Sequence, residues 1–322
     1  MSLQFDEMSS TVSLMVPTLA ERPEAIRGAL DLVAAAGARS GLTRWCVRLI
    51  AADVALAELE RRGDDVPFVV EARVPLAGRL AGCSFVFFGR NASGRESCVE
   101  VSQAMQRLLD EVGRVPRKSY ADLLSVTDAD VTVERVTAES CTTRDREQLV
   151  AMCHDAFTDD LMPVEAKLDG LLADPARHVL LAARSRLDGE LHAVCAGSEL
   201  TIAVAGAAPC VLWELGKSIK RQRCAGKGLN ALLKLRLIER AAAADVDLVF
   251  CETRLALRAP NQVNQSLGMR LFGQLPKALR VHGVEDVPEH ALDGLPYKTL
   301  GVWGLRGPEL LRMAGALQRL GA

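Results

Sequence analysis

Residues 211–245 read VLWELGKSIKRQRCAGKGLNALLKLRLIERAAAAD. An apolar, strand-like run, Val211 to Ile219, leads into Arg223-Cys224-Ala225-Gly226-Lys227-Gly228. A helical pattern follows, with Leu229, Leu232, Leu233, Leu237 and Ala241 on one face and Leu235 and Ile238 widening the stripe, which predicts a well-buried helix. A glycine turn between a strand and a helix suits an anion. Glycine lets the backbone approach a ligand closely, and the helix start offers unpaired N–H groups and the positive end of its dipole. Lys217, Lys220, Arg221, Arg223 and Lys227 crowd the same turn and add charge.

Downstream, Leu248 to Arg254 (LVFCETR) is a predicted strand, Pro260 to Leu267 a short helix, Met269 to Leu275 a strand and Thr299 to Leu305 a last strand. Upstream, Val131 to Val136 is a strand, and a helix capped by Thr143 or Asp145 runs to Phe157. A second helix spans Pro163 to Ala173, and His178 to Arg184 and Leu191 to Val204 form a hairpin. This half therefore reads as seven strands and four helices.

The first half is less regular. Thr11 to Pro17 reads as a strand, Pro23 to Ala36 as a helix, and the alanine- and leucine-rich Leu42 to Arg62 as a second helix. Two strands (Pro67 to Val74, Ser84 to Gly89) and a helix from Glu96 to Val112 complete an order β, α, α, β, β, α. Asn91-Ala92-Ser93 matches a glycosylation sequon but reads as a loop. The polar stretch from Arg114 to Asp128 is a linker, so the expected layout is an N-terminal α+β domain, 1–125, and a C-terminal domain, 126–322. The first domain carries no nucleophile–base pair, metal-ligand spacing or phosphate loop; it is a packing or dimerisation domain, or a degenerate copy of the second.

At 322 residues, 49% hydrophobic and 25% charged, the chain can bury two sizeable cores. Its net charge of −2 argues against nucleic acid as a partner and for a small anionic ligand at the basic turn. Nine cysteines without a C-x-x-C pair, and five histidines, predict reduced thiols and no metal site. No signal peptide is visible in MSLQFDEMSS and no apolar run reaches the ~18–20 residues that span a bilayer, so a cytoplasmic protein without a membrane partner is expected. A homodimer stays open.

The second half resembles the GNAT superfamily of acyl-coenzyme A-dependent N-acyltransferases over residues 131–306 or so. The element order matches, Arg223 to Gly228 matches the R/Q-x-x-G-x-G/A pyrophosphate motif, and Leu267-Gly268-Met269 stands where the family has its L-G-F turn. Gly226 to Leu229, Leu267 to Gly273 and Gly301-Val302-Trp303 also resemble the bacterial and archaeal beta-lysine N-acetyltransferases. Those proteins carry an asparagine-rich segment where this chain has Pro276 to His282.

The resemblance implies a mixed, mostly antiparallel seven-stranded sheet flanked by helices, and a splayed strand whose edge holds pantetheine. Acetyl-CoA or another acyl-CoA is then the co-substrate, and the acceptor is a small-molecule primary amine. Its expected cofactor contacts are Leu215, Gly216, Lys217 and Ser218 on the strand, the backbone of Arg223, Cys224, Ala225, Gly226, Lys227 and Gly228 with the charges of Arg223 and Lys227, and Asn261 at the following helix start. Glu214, in an apolar strand beside Trp213, is the candidate base, with burial raising its pKa. Glu252 and Thr253 are candidates for the amine. Many relatives place a tyrosine donor where this chain has Asn264, which can orient a thiolate but cannot deliver a proton; Tyr297 is the other candidate acid. Asp159, Asp160, Glu165 and Glu199 could line the entrance for a cation. Cys153-His154 is no dyad, because adjacent helical residues point apart. Two other readings are a non-catalytic acyl-CoA sensor and an unrelated nucleotide enzyme; no Walker loop is present and the glycine spacing is too short for a dinucleotide fingerprint.

Overall fold

The computed structural model describes residues 2–6, 11–62, 67–92, 99–116, 119–124, 131–156, 164–280 and 297–319. The N-terminal half comprises β1 (Ser2–Asp6), β2 (Thr11–Met15), α1 (Pro23–Ser40), β3 (Arg44–Ala52), α2 (Asp53–Arg62), β4 (Val69–Pro75), β5 (Cys83–Asn91), α3 (Val99–Arg114) and α4 (Tyr120–Leu124). The C-terminal half comprises β6 (Val131–Val136), α5 (Thr143–Ala156), α6 (Val164–Ala173), β7 (His178–Ser185), β8 (Leu191–Ile202) and β9 (Cys210–Lys220). It continues through α7 (Leu229–Ala243), β10 (Leu248–Arg254), α8 (Arg258–Ser266), β11 (Arg270–Arg280), β12 (Tyr297–Arg306) and α9 (Gly307–Arg319).

The seven expected strands of the second half are all present, but they do not form a sheet of their own. All twelve strands join in the order β1-β2-β3-β5-β4-β11-β12-β10-β9-β8-β7-β6. The junction is the antiparallel contact of β4 with β11 at Ala72 and Gly273. A Cβ on Gly273 would lie 2.3 Å from the Glu71 carbonyl, so this approach requires glycine. Arg44 clamps the junction: its guanidinium bonds Glu71 at 2.5 Å, Asn91 Oδ1 at 2.9 Å and the Pro276 carbonyl at 3.1 Å, and Asn91 Nδ2 donates to the same carbonyl. Asn91 is thus tied into a buried seam and is no loop sequon.

The expected helix Leu42–Arg62 is also corrected. Its first part is the central strand β3, parallel to β2 and antiparallel to β5. Val47, Leu49 and Ala51 pack under α1 and α2 while Ile50 enters a different core, which is a period of two. Pairing on both edges outweighs the local helix preference of alanine and leucine. The linker region contains the short helix α4, and β1 and α9 were not anticipated.

With β3 in place, the two halves share a topology. In each, an antiparallel pair leads by a helix to a parallel strand, and a second helix leads to a hairpin whose later strand lies inside: β1-β2-β3-β5-β4 and β8-β9-β10-β12-β11. The equivalent edge strands β4 and β11 meet, as in an isologous pairing.

The sheet is rolled. β5 and β10 are four positions apart in the order, which would separate them by about 19 Å if flat. Yet the Phe85 and Phe250 ring centroids lie 5.2 Å apart, and Phe87 and Phe250 6.1 Å. The inner faces of the two halves therefore make one core, with Ile50, Val74, Leu212, Leu248 and Val302 around these rings. At the far side Leu19 N–H donates to the Ala203 carbonyl (3.0 Å) and Ala203 N–H to the Pro17 carbonyl (2.8 Å), joining the end of β2 to β8. Phe250→Ala should cost about 3–5 kcal/mol, as a large cavity at the centre of this core; urea unfolding measures it, and a loss below about 1 kcal/mol would contradict the shared core.

On the other face of the C-terminal strands, α7 and α9 cover Trp213, Leu215, Val249, Cys251 and Trp303. α5 and α6 lie over β7 and β8 on the inner side. Among the described residues, no helix is long and apolar enough to cross a membrane, no group of three or more His, Cys, Asp and Glu is placed to hold a metal ion, and eight cysteines are free thiols.

Candidate functional site

β9 and β10 are parallel neighbours only over Leu212–Glu214 and Leu248–Phe250. Beyond that they part. The cause is a bulge in β9, where Gly216 and Lys217 stand opposite Ala196 alone, between the pairs Leu215–Gly197 and Ser218–Cys195. The extra residue turns β9 away and leaves its β10-facing edge unpaired along the stretch expected to hold pantetheine. Leu215 is buried under α7, so only its backbone is available to a ligand; Gly216, Lys217 and Ser218 continue the open edge.

The edge ends in the glycine turn. Gln222–Cys224 is a single 3-10 turn, and Gly226 and Gly228 have φ of +80° and +77°, a region costly for side-chain-bearing residues. Gly228 caps α7 without a side-chain partner, and the first helical bond is Leu232 N–H to the Gly228 carbonyl. The turn uses some of its amides internally: Cys224 N–H donates to Arg221, Ala225 to Gln222 and Lys227 to Cys224. Among the described residues, no backbone carbonyl accepts from Arg223, Gly226 or Gly228, so these amides stand beside the open helix start. A Cβ on Gly226 would meet nothing within 4 Å. The Cys224 side chain is buried at 1% exposure in the core beneath, which removes its thiol from the anion. Lys227 is exposed and Arg223, 55% exposed, makes only a 3.9 Å ion contact with Glu190, whereas Arg221 is spent on Leu191 O, Gln148 and Glu190.

Glu214 lies at the apex of the cleft, on the inner face. Trp213, its neighbour in sequence, points to the α7 side, because adjacent strand residues alternate. The expected upward shift is present with a different neighbour: burial pushes the Glu214 carboxyl up, the Glu252 charge adds to it, and the Arg48 guanidinium opposes it. Glu252 is two residues beyond Phe250, the register partner of Glu214, and shares its face. Arg48 Nη2 stands 2.6 Å from Glu252 Oε1, in contact but off the hydrogen-bonding direction. His178 Nδ1 lies 2.9 Å from the hydroxyl of Ser198, which pairs with Glu214 across β8 and β9.

Several expected site residues are elsewhere. Thr253 faces α7 and α8, opposite to Glu252, and its hydroxyl accepts from Asn264 Nδ2 at 2.8 Å. Asn264 is fully enclosed, and its Oδ1 accepts from the buried Lys234 at 2.8 Å. Both ends of the amide are engaged, so Asn264 links α7, α8 and β10 instead of lying open to a thiolate. Asn261 is also fully enclosed: its Nδ2 donates to the carbonyls of Arg254, Leu255 and Leu257, and its Oδ1 accepts from Trp303 Nε1 at 3.0 Å. It clasps the turn before α8, whose N-cap is Leu257, and is neither cap nor ligand contact. Glu199 pairs with Trp213 and so lies on the α7 side, away from Glu214. Tyr297 opens β12 three residues before Leu300, the partner of Arg254 at the end of β10, which places its backbone at the mouth end of the cleft. Asp159, Asp160, His282 and the side chains of Glu165 and Tyr297 lie outside the described residues.

Arg48 was missed because its segment read as a helix; the signal was the alternation around it. Lys234 was missed as one lysine in an amphipathic helix.

No protein-family model matches the chain. No curated protein matches it in sequence. Among solved structures it is similar to NAA60 of Arabidopsis thaliana in complex with acetyl-CoA, at 12% identity and a TM-score of 0.44, over 55% of this chain and 98% of that one. It is similar to a ribosomal-protein-alanine N-acetyltransferase from Brucella melitensis, at 16% identity and a TM-score of 0.42, over 54% and 99%. It is also similar to yncA of Salmonella typhimurium with acetyl-CoA, at 16% identity and a TM-score of 0.41, over 56% and 95%.

Proposed function

We propose that this chain is an acyl-CoA-dependent N-acyltransferase, moving an acyl group, in the first instance acetyl, to the primary amine of a small molecule such as an amino acid or polyamine. The observation that carries this reading is the opening of β9 from β10, with an unpaired strand edge that runs from Glu214 into the Gly226–Gly228 cradle. Pantetheine would pair with the edge as a strand does, and the pyrophosphate would take the amides of Arg223, Gly226 and Gly228 and of the first turn of α7. The thioester carbonyl would then lie near Glu214. In the transfer, the acceptor's ammonium gives a proton to the Glu214 carboxylate, the neutral nitrogen attacks the carbonyl carbon, the C–N bond forms and the C–S bond breaks. The nitrogen sheds its second proton as the tetrahedral intermediate collapses, and this proton reaches the leaving thiolate through water or Tyr297, since the Asn264 amide is committed.

The N-terminal half is proposed to be a truncated copy of the same fold that has lost the cofactor site. Its β2 and β3 stay paired from Thr11–Arg44 to Met15–Arg48, and Val16 and Ala20 continue to bond β3, so no cleft opens. Residues 16–22, VPTLAER, contain no glycine to form a cradle.

Amine-dependent release of free thiol from acetyl-CoA tests the reading. Saturable binding without turnover across a broad amine panel would favour the sensor, and no binding would remove both. Gly226→Glu should weaken acetyl-CoA binding about 100-fold or more in calorimetry, because charge-assisted hydrogen bonds contribute about 1.5–3 kcal/mol each and the new carboxylate repels the phosphates. Gly226→Asn, a residue that tolerates the left-handed region, controls for backbone strain. Equal affinity in wild type and Gly226→Glu would displace the cradle from this turn.

A further inference from the structure

Arg48 comes from β3, in the N-terminal half, and reaches across the inside of the rolled sheet to two carboxylates of the C-terminal half. Its guanidinium touches Glu252 and lies over the Phe87 ring, 5.6 Å from the centroid, which restricts its swing. The contact with Glu252 is charge without an aligned hydrogen bond, so it is open to change by charge substitution. Two carboxylates on one partly buried face repel each other's ionisation, and a single cation beside them decides which ionises first.

We propose that Arg48 is a positioning residue through which the N-terminal half takes part in catalysis: it pins Glu252 in contact and leaves Glu214 as the carboxylate that accepts the acceptor's proton. The proposal rests on the acyltransferase reading only for the identity of that proton's donor. It gives the rolled architecture a role, because a C-terminal half alone would have two uncompensated carboxylates at the apex of its cleft. The signs are opposed, since Glu252 raises the affinity of Glu214 for a proton and Arg48 lowers it. Among the described residues, the other titratable groups around this cluster are Cys46, two residues earlier on the same strand, and Arg44, both of which interact with Arg48, and His178, engaged with Ser198.

Glutamate labelled with ¹³C at Cδ gives an NMR titration of the full chain, with the Glu214 signal assigned by its loss in Glu214→Gln. Arg48→Met should move the Glu214 midpoint up and Glu252→Gln should move it down, each by about one pH unit. Arg48→Lys, which keeps the charge, should restore a near wild-type midpoint. A midpoint that does not move, or that moves in the same direction in Arg48→Met and Glu252→Gln, overturns the proposal. Arg48→Gln, polar and of similar reach, replaces Arg48→Met if that variant does not fold. Acetyl-CoA titration of the same wild-type sample judges the acyltransferase reading separately: absent binding would sink that reading and leave the opposed shifts to decide Arg48 on their own.

Discussion

Replacing Glu214 with glutamine is expected to lower kcat/KM at neutral pH by about 10²–10⁴, the usual contribution of a positioned base, while acetyl-CoA affinity stays near wild type. The carboxyl is the base only when ionised, and burial with Glu252 beside it holds its pKa above the ordinary carboxylate range. Wild-type activity should therefore fall as pH drops through that raised value, and the glutamine variant should lose this acidic limb. Stability moves the opposite way. A carboxyl whose folded pKa is raised contributes most to stability when protonated, below its unfolded value near 4.5, and that contribution is lost as pH rises through the folded value. At neutral pH the variant is thus expected to match or exceed wild type in urea unfolding. A less active but more stable protein marks a site residue that strains the fold; wild-type turnover with a wild-type pH profile would remove Glu214 as the base.

Replacing Arg44 with methionine is expected to cost about 3–5 kcal/mol of unfolding free energy, the typical loss when one partner of a buried ion pair is removed. Arg44 is 1% exposed and the Glu71 side chain 4%, so the substitution takes the Arg44 cation away from a buried carboxylate. It also deprives Asn91 Oδ1 and the Pro276 carbonyl of a donor. Because Pro276 belongs to β11, the damage falls on the seam that makes one sheet of two halves. The double variant Arg44→Met/Glu71→Met should recover much of the loss, since replacing both ions with apolar groups is often neutral. If the single variant unfolds at the wild-type urea midpoint, the seam is not held by this pair.

The N-terminal half accounts for the size of the chain in a way its residues did not announce. Among the described residues β2 and β3 open no cleft, yet the inner face of this half packs Phe85 and Phe87 on Phe250, and Arg48 on Glu252.

Local patterns determined most of the C-terminal half and the glycine turn after β9. The strand Val211–Ile219, the glycine turn and the leucine stripe of α7 are short-range features, and Gly226 and Gly228 adopt the positive φ that glycine permits. The unusual carboxylate was also legible, because a glutamate inside an apolar strand is conspicuous whatever surrounds it. Tertiary structure alone decided the rest. Whether Arg44 to Ala52 became helix or strand depended on partners 30 or more residues away, β2 and β5, whose pairing outweighs local propensity. The side each residue faces follows from that choice: Thr253, Asn261 and Asn264 point into helix-covered core, while Glu214, Glu252 and Arg48 meet on the inner face. The strand, its glycine turn and the helix after it are local, so the sequence could name them. The charge at its apex comes from a strand of the other half, brought there by the roll of a twelve-stranded sheet, and chain separation carries no record of that contact.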